Sequence, residues 1–294
     1  MLSVDTGFWT GSITFQPSYQ TTPIVISIGT GPDSNGIAWI WESITGWDSP
    51  DVAGAVMQRG ADHGGWATGQ YYAPRSLTLM LRASCPDQPT RDLARSILQQ
   101  AIPVNALCIL QYNEPIPKQI AVRRSGRIAE AYDNVSEVEF ACVLVAPDPR
   151  KYSTVIKQWP AASFGPQNYS TIPFTVALTL PTQNAPPSSG NTNAGNIDTR
   201  PNVQITGPIH KPGLKLSRNG KAVTWSGVVL NSGDQLVVDF DARMAWVNGA
   251  YTPADINSAW WTLEPGNNAV QLLSGSSVST DQGLMVIQHR DAWI

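Results

Sequence analysis

Apolar residues in the first half of the chain recur mostly at every second position, the spacing of half-buried strands. Ser76-Leu-Thr-Leu-Met-Leu-Arg82 alternates strictly, with Leu77, Leu79 and Leu81 on one face. Glu137-Val-Glu-Phe-Ala-Cys-Val-Leu-Val145 reads as another strand, and 24–28, 37–41, 106–112 and 120–124 add shorter ones. One segment keeps a different period. Leu93, Ala94, Ile97, Leu98 and Ala101 recur at steps of three and four, one apolar stripe of a helix from Thr90 to Ala101. Asp87 or Thr90 caps it, Asp92 suits its positive end, and Pro103 stops it. A single amphipathic helix among strands must cover a sheet face or edge, which makes the first half α+β.

The pattern breaks at Pro147-Asp-Pro149, where two prolines flanking Asp148 continue neither a ladder nor a helix. Asp148 and Arg150 therefore stand at a rigid exit from the first half. Beyond it come a connector to about position 172, a strand over 174–180, and a long polar loop from Pro181 to Gly195. Short strands then resume at 202–206, 214–217, 222–225, 235–239, 245–247, 260–263, 270–273 and 284–289. Asn219-Gly220 and Asn248-Gly249 are favoured hairpin turns between them. The expectation is a mostly β protein of two domains, 1–152 and 153–294, each a β-sandwich, the first with one helix.

Composition narrows the function classes. Charged residues make up 14% of 294 positions, against about 25% in ordinary globular chains. The net charge of -3 argues against electrostatic nucleic-acid binding, which needs a basic face. Cys85, Cys108 and Cys142 form no CxxC pair and read as buried free thiols. No apolar run approaches the ~20 residues that span a membrane, and the first residues do not read as a signal peptide. A soluble chain made in a reducing compartment is expected.

Catalytic chemistry finds little to work with. His63, His210 and His289 are far apart, and there is no GxSxG, HExxH or phosphate-cradling loop, so no catalytic residue, metal or cofactor is expected. Glu42, Asp48 and Asp51 lie close in sequence but read as turn or capping carboxylates rather than a glycosidase pair. Eleven tryptophans are many for this length. Trp39 and Trp41 share a strand face and suit a core or a contact. Trp260 and Trp261, adjacent in an expected strand, should point to opposite faces. Trp246 and Trp260 are candidates for stacking on a glycan or a partner. The densest positive stretch, Lys118, Arg123, Arg124 and Arg127, has two readings: an exposed hairpin paired with Glu137 and Glu139, or a hairpin that reaches an adjacent protomer, turning at Ser125-Gly126.

The exit Ala146-Pro-Asp-Pro-Arg-Lys-Tyr152 closes a strand in a way that resembles the distal tail proteins of long-tailed bacteriophages. Asn35-Gly36, the strand from Arg75, the helix at 90–101, Asn193-Ala-Gly195, Arg200-Pro-Asn-Val-Gln-Ile-Thr-Gly-Pro208, Gly233-Asp-Gln-Leu-Val-Val-Asp239, Val247-Asn-Gly249 and Trp261-Thr-Leu-Glu-Pro-Gly-Asn267 extend that resemblance in order along the chain. The Trp- and Gly-rich segment from Gly46 to Trp66 departs from it. The resemblance implies a structural, non-enzymatic virion protein of the tail tip, made in the host cytoplasm. Its first domain would form a homohexameric ring, and its second a galectin-like sandwich. Partners implied are the tail tube protein, a tail-associated hub or tip protein and the tape-measure protein, with DNA passing through the lumen without specific binding. A host glycan is a further implied ligand, and membrane insertion is not. Lys118, Arg123, Arg124, Arg127, Asp148 and Arg150 become candidates for the subunit contact.

Overall fold

The computed structural model describes residues 10–17, 21–132, 134, 136–164, 187–275 and 281–294. The expected strand at 174–180 and the first part of the polar loop lie outside them. The chain divides into two compact units, Met1–Thr154 with Ile294, and Val155–Trp293. The fold is mostly β, with one helix among the described residues.

In the first unit the main strands are β1 (Gly11–Phe15), β2 (Ile24–Ile28), β3 (Ala38–Thr45), β4 (Arg75–Ser84), β5 (Cys108–Tyr112), β6 (Lys118–Tyr132), β7 (Glu137–Ala146) and β8 (Lys151–Ser153). They pair antiparallel in the order β2-β1-β5-β6-β7-β4-β3, with β8 beside the start of β6. Strict alternation decides which face turns inward. Leu77, Leu79 and Leu81 of β4 lie opposite Leu144, Cys142 and Phe140 of β7, and all six are buried. Each buried side chain of that size contributes roughly 1.5–3 kcal/mol relative to exposure. β6 serves two sheets: Lys118–Val122 pair with β5, and Ile128–Tyr132 pair with β7. The Gly29 N–H donates to the Trp39 carbonyl at 2.9 Å, tying the end of β2 to β3 around one core.

The helix α1 runs from Gln88 to Ala101, capped by the Asp87 carboxylate, which accepts from the Thr90 N–H at 2.9 Å. Ala94, Leu98 and Ala101 are buried, while Leu93 at the edge of the stripe is exposed. Burial and hydrogen bonding account for the cysteines: all three are free and buried, and desolvation raises the Cys108 and Cys142 thiols to about 12.

The second unit is a sandwich. One sheet runs β16 (Leu284–His289), β10 (Asn202–Thr206), β13 (Gln235–Asp239), β14 (Met244–Val247), with 250–251 beyond; the other runs β9 (Ser188–Asn193), β15 (Gly266–Ser274), β11 (Pro212–Leu216), β12 (Ala222–Thr224). Val203, Ile205, Leu236, Val238 and Ile287 from the first sheet share a core with Leu214, Leu216, Val270 and Leu272 from the second. The turn at Asn248-Gly249 has both φ angles positive, 47° and 84°, as a tight two-residue hairpin between right-twisted strands demands.

Two sequence expectations need correction. The polar run Ser188–Asn193 is not loop but the edge strand β9, laddered to β15. Buried polar groups there are satisfied: the Asn193 Nδ2 donates to the Ile197 carbonyl at 2.8 Å. Residues 260–263 form no strand beyond a bridge of Leu263 to Thr199. Trp260 and Trp261 consequently do not diverge; both reach the Phe240 ring, at 5.2 and 4.1 Å between centroids.

Candidate functional site

The segment between β3 and β4 leaves the body as a ribbon. Val52–Ala53 pair with Tyr71–Tyr72, and Val56–Gln58 pair with Gly65–Ala67. Period-two alternation exists here, but neither face is covered. Val52, Val56, Met57, Trp66, Tyr71 and Tyr72 are all exposed, Trp66 at 61% and Tyr71 at 77%. Arg59 lies 4.5 Å over the Trp66 ring and 3.6 Å from Asp62. A two-stranded ribbon is marginal in water by itself, and exposed aromatic area of this density marks a contact surface. This is the part of the chain that departed from the family pattern.

The root of this arm is fixed by buried cations. Gly46 turns with φ 83°, and a Cβ there would stand 2.1 Å from the Ser76 carbonyl oxygen, so only glycine fits. Arg75, wholly buried, donates from Nη1 to the Gly46 and Trp47 carbonyls at 2.9 and 3.0 Å, and from Nε to the Pro149 carbonyl at 3.0 Å. Lys151 Nζ donates to the same Trp47 carbonyl at 2.8 Å. Burial, then the neighbouring Arg75 charge, pulls the Lys151 ammonium down to about 8. The Trp47 indole N–H donates to Glu114, which also pairs with Lys118. Lys118 is thus a fastening inside its own protomer. Asp48, near the cationic pair, and Asp51 do not form a catalytic pair with Glu42, whose carboxylate sits 2.8 Å from Arg82.

The exit turn is equally local. Asp148 accepts from the Arg150 N–H at 3.1 Å and from the Tyr152 hydroxyl at 2.6 Å, and the Arg150 guanidinium lies 3.4 Å away. These residues hold the chain direction that the two prolines begin.

The three arginines differ. Ser125-Gly126 do not turn the chain, because β6 continues through them as a bulge: pairing with β7 shifts register between Arg124 and Ile128. Glu139 is within 3.4 Å of Arg82 rather than bound to this group. Arg123 and Arg127 are exposed and Arg124 is half-buried. Arg124, Arg127 and Ile128 face Gln99 and Val104 across a groove of about 480 Å³.

In the second unit, Trp246 points outward from β14, between buried Ala245 and core-packed Val247. Register puts Gln204, Val237, Trp246 and Tyr251 in one outward row. Trp260, by contrast, is half-buried against Phe240. The histidines occupy separate places. His210 Nδ1 is 2.7 Å from Asp281, whose burial is outweighed by hydrogen bonds from His210 and Ser274 that hold its carboxyl low. His289 is buried, and its Nδ1 accepts from the Trp159 indole at 2.7 Å. Its Nε2 is 3.5 Å from Asp291, which is engaged by Lys157 at 2.7 Å and by the Ala194 N–H at 3.0 Å. No group of residues that suits a metal occurs among the described residues, nor any helix long and apolar enough to cross a membrane.

Residues 194–293 match the model of the siphovirus-type tail component, C-terminal domain. The chain carries the C-terminal domain of the siphovirus-type tail components. That is the family which the ordered motifs of the sequence resemble. The match starts at the Asn193-Ala-Gly195 turn and ends at Trp293. Among solved structures this chain is similar to the Dit protein of SPP1, described as a paradigm of hub adsorption apparatus in phages that infect Gram-positive hosts. Identity is 14% and the TM-score 0.58, over 87% of this chain and 94% of that one. It is also similar to chains of the phage P2 baseplate in its activated conformation, with Ca and with Sr. Both are 10% identical over 95% of this chain and 97% and 98% of theirs, with TM-scores of 0.55 and 0.54. At these identities the likeness is one of fold, and it extends over both units. Among curated proteins none matches.

The buried histidine of the second unit has a measurable consequence. Burial outweighs the pull of Asp291 and lowers the His289 pKa from its ordinary 6.5. Below that pH the unfolded chain takes up a proton that the fold resists, because a protonated ring has no lone pair for the Trp159 indole. Stability of the second unit is therefore expected to fall as pH drops below about 6.5. Melting curves at pH 7.5 and 5.5 should show the fall, and His289→Gln should flatten it. An identical drop in the variant would locate the titration elsewhere.

Proposed function

We propose that this tail component is the hub of the tail tip: a structural, non-enzymatic protein whose first unit closes into a homohexameric ring. One observation carries this reading. The 52–72 arm exposes six large apolar side chains on a ribbon that its own body does not cover. Such a surface is stable in water chiefly when a second molecule buries it. The family model and the fold neighbours support a second copy of the chain as that molecule. SPP1 Dit is described as part of a hub, and the P2 chains as parts of a baseplate. A ring at the end of a tail needs a head-to-tail contact that closes, and an arm on one flank of each copy suits that geometry.

In this reading the ring joins the tail tube protein to a tail-associated tip protein, and leaves a lumen for the tape-measure protein and for DNA, with no specific DNA contact. The second unit, which follows the Asp148–Tyr152 turn in the chain, offers a further docking surface. Native mass spectrometry tests the ring: a species of six times the chain's 31.8 kDa is expected.

A second reading, compatible with the first, rests on the outward row of Trp246 and Tyr251 beside Gln204. Aromatic faces and amides on one uncharged row suit a sugar. Loss of glycan-array signal on Trp246→Ala, with the fold intact, would support a host-glycan site; an unchanged array would remove it.

A further inference from the structure

We infer that the arginine bulge of one copy is the seat for the acidic, aromatic arm of the next. This rests on the ring reading and adds where the contact lies. The bulge gathers Arg123, Arg124 and Arg127 within five residues, and among the described residues their guanidinium groups have no hydrogen-bond or ion-pair partner. Opposite charges across a strand pair stabilise a sheet; here Glu130 and Glu139, acids of the two paired strands, are committed to Arg95 and Arg82. Past Val122 the far side of β6 has no strand neighbour among the described residues, so the bulge stands on an open edge. Val104 and Val143 are exposed nearby, at 60% and 43%, and Val104 lines the groove with Arg124 and Arg127.

The arm has the complementary character. From 46 to 74, arm and root together, three carboxylates outnumber the single Arg59, among exposed valines, tyrosines and a tryptophan; Asp62 lies 3.6 Å from Arg59 and Asp48 near Arg75, so the surplus negative charge falls at Asp51. Guanidinium planes stack on such rings and bind such carboxylates. Position completes the case. Arg124 lies opposite Leu144, Leu144 opposite Leu77, and Thr45 opposite Thr78, the neighbour of Leu77. Arm root and bulge are therefore at the same level of one four-stranded sheet, on its two opposite edges. Three strand spacings separate them, about 14 Å. A donor on one edge and an acceptor on the other cannot satisfy each other within one copy without folding back, but they repeat head to tail around a ring. The apolar ribbon supplies the buried area, and the charges set which edge it takes and in what register.

Charge reversal tests the seat in the full chain. Arg124→Glu with Arg127→Glu is expected to raise the concentration at which rings half-dissociate by about tenfold or more at low salt, as two attractive contacts become repulsive. Asp51→Arg with Asp62→Arg should do the same, and all four changes together should bring the midpoint back towards wild type. Light scattering after size exclusion reads the midpoint, and circular dichroism checks that each variant is folded. Rings that ignore the arginine reversal, or a fourfold variant no better than either pair, would overturn the seat while leaving the ring itself standing. A wild-type chain that never assembles would overturn both.

Discussion

Replacing Arg75 by Met is expected to cost the first unit about 2–5 kcal/mol, a large effect for a single side chain. The guanidinium is fully buried and supplies donors to three main-chain carbonyls, those of Gly46, Trp47 and Pro149. A thioether of similar length fills the space but leaves the Gly46 and Pro149 oxygens without this donor, at roughly 1–3 kcal/mol each, and leaves the Trp47 oxygen to Lys151 alone. The three carbonyls belong to the arm root and to the exit turn, so one side chain ties both to β4. Lysine is a poor replacement, because one ammonium cannot span a planar fork of donors. Chemical denaturation of Arg75→Met gives the stability, and limited proteolysis at 48–74 should accelerate with it. A loss under about 1 kcal/mol would mean that the carbonyls find water and that the clamp is dispensable.

The second large effect is on assembly. Replacing 52–72 by a short Gly-Ser turn is expected to leave both units folded and to abolish the ring. Folding should survive because no arm side chain belongs to the buried core of the first unit, and the root contacts of Arg75 and Lys151 lie outside the deletion. Assembly should fail because the deletion removes Val52, Val56, Met57, Trp66, Tyr71 and Tyr72 together, the apolar area on which a protomer contact would draw. In a closed ring each copy both gives and receives, so one missing arm weakens every contact in the circle. Scattering mass of the truncated chain is the measurement. A truncated chain that still forms rings would place the subunit contact elsewhere on the first unit.

The body of the fold was legible because burial writes a simple code. Leu77, Leu79 and Leu81 announce a one-sided strand, and Ala94 and Leu98 a helix face, since each pattern has a covered side. The arm carries alternation without a covered side, so its residues read as loop or as family departure. The β9 edge escaped for the opposite reason: Ser188–Asn193 is stabilised by ladder bonds to Gly266–Gln271, far along the chain, and not by apolar content. Ser125-Gly126 is turn chemistry locally, yet the flanking pairs with β7 hold the strand straight through it. Arg75 opens an alternating strand at a position that a sequence assigns to solvent; only the three converging carbonyls reveal why a cation is buried there. Among the candidate residues, Lys118, Asp148 and Arg150 are spent on contacts within their protomer, Trp260 on Phe240, while Arg123, Arg124, Arg127 and Trp246 remain on the surface.

Direct imaging of the purified wild-type chain tests the central claim, that exposed arms close copies of this protein into a ring. Averaged particles should show a six-fold annulus with an open centre, and the same sample should weigh six chains. Compact single-copy particles at every concentration, with the arm folded and exposed, would contradict it.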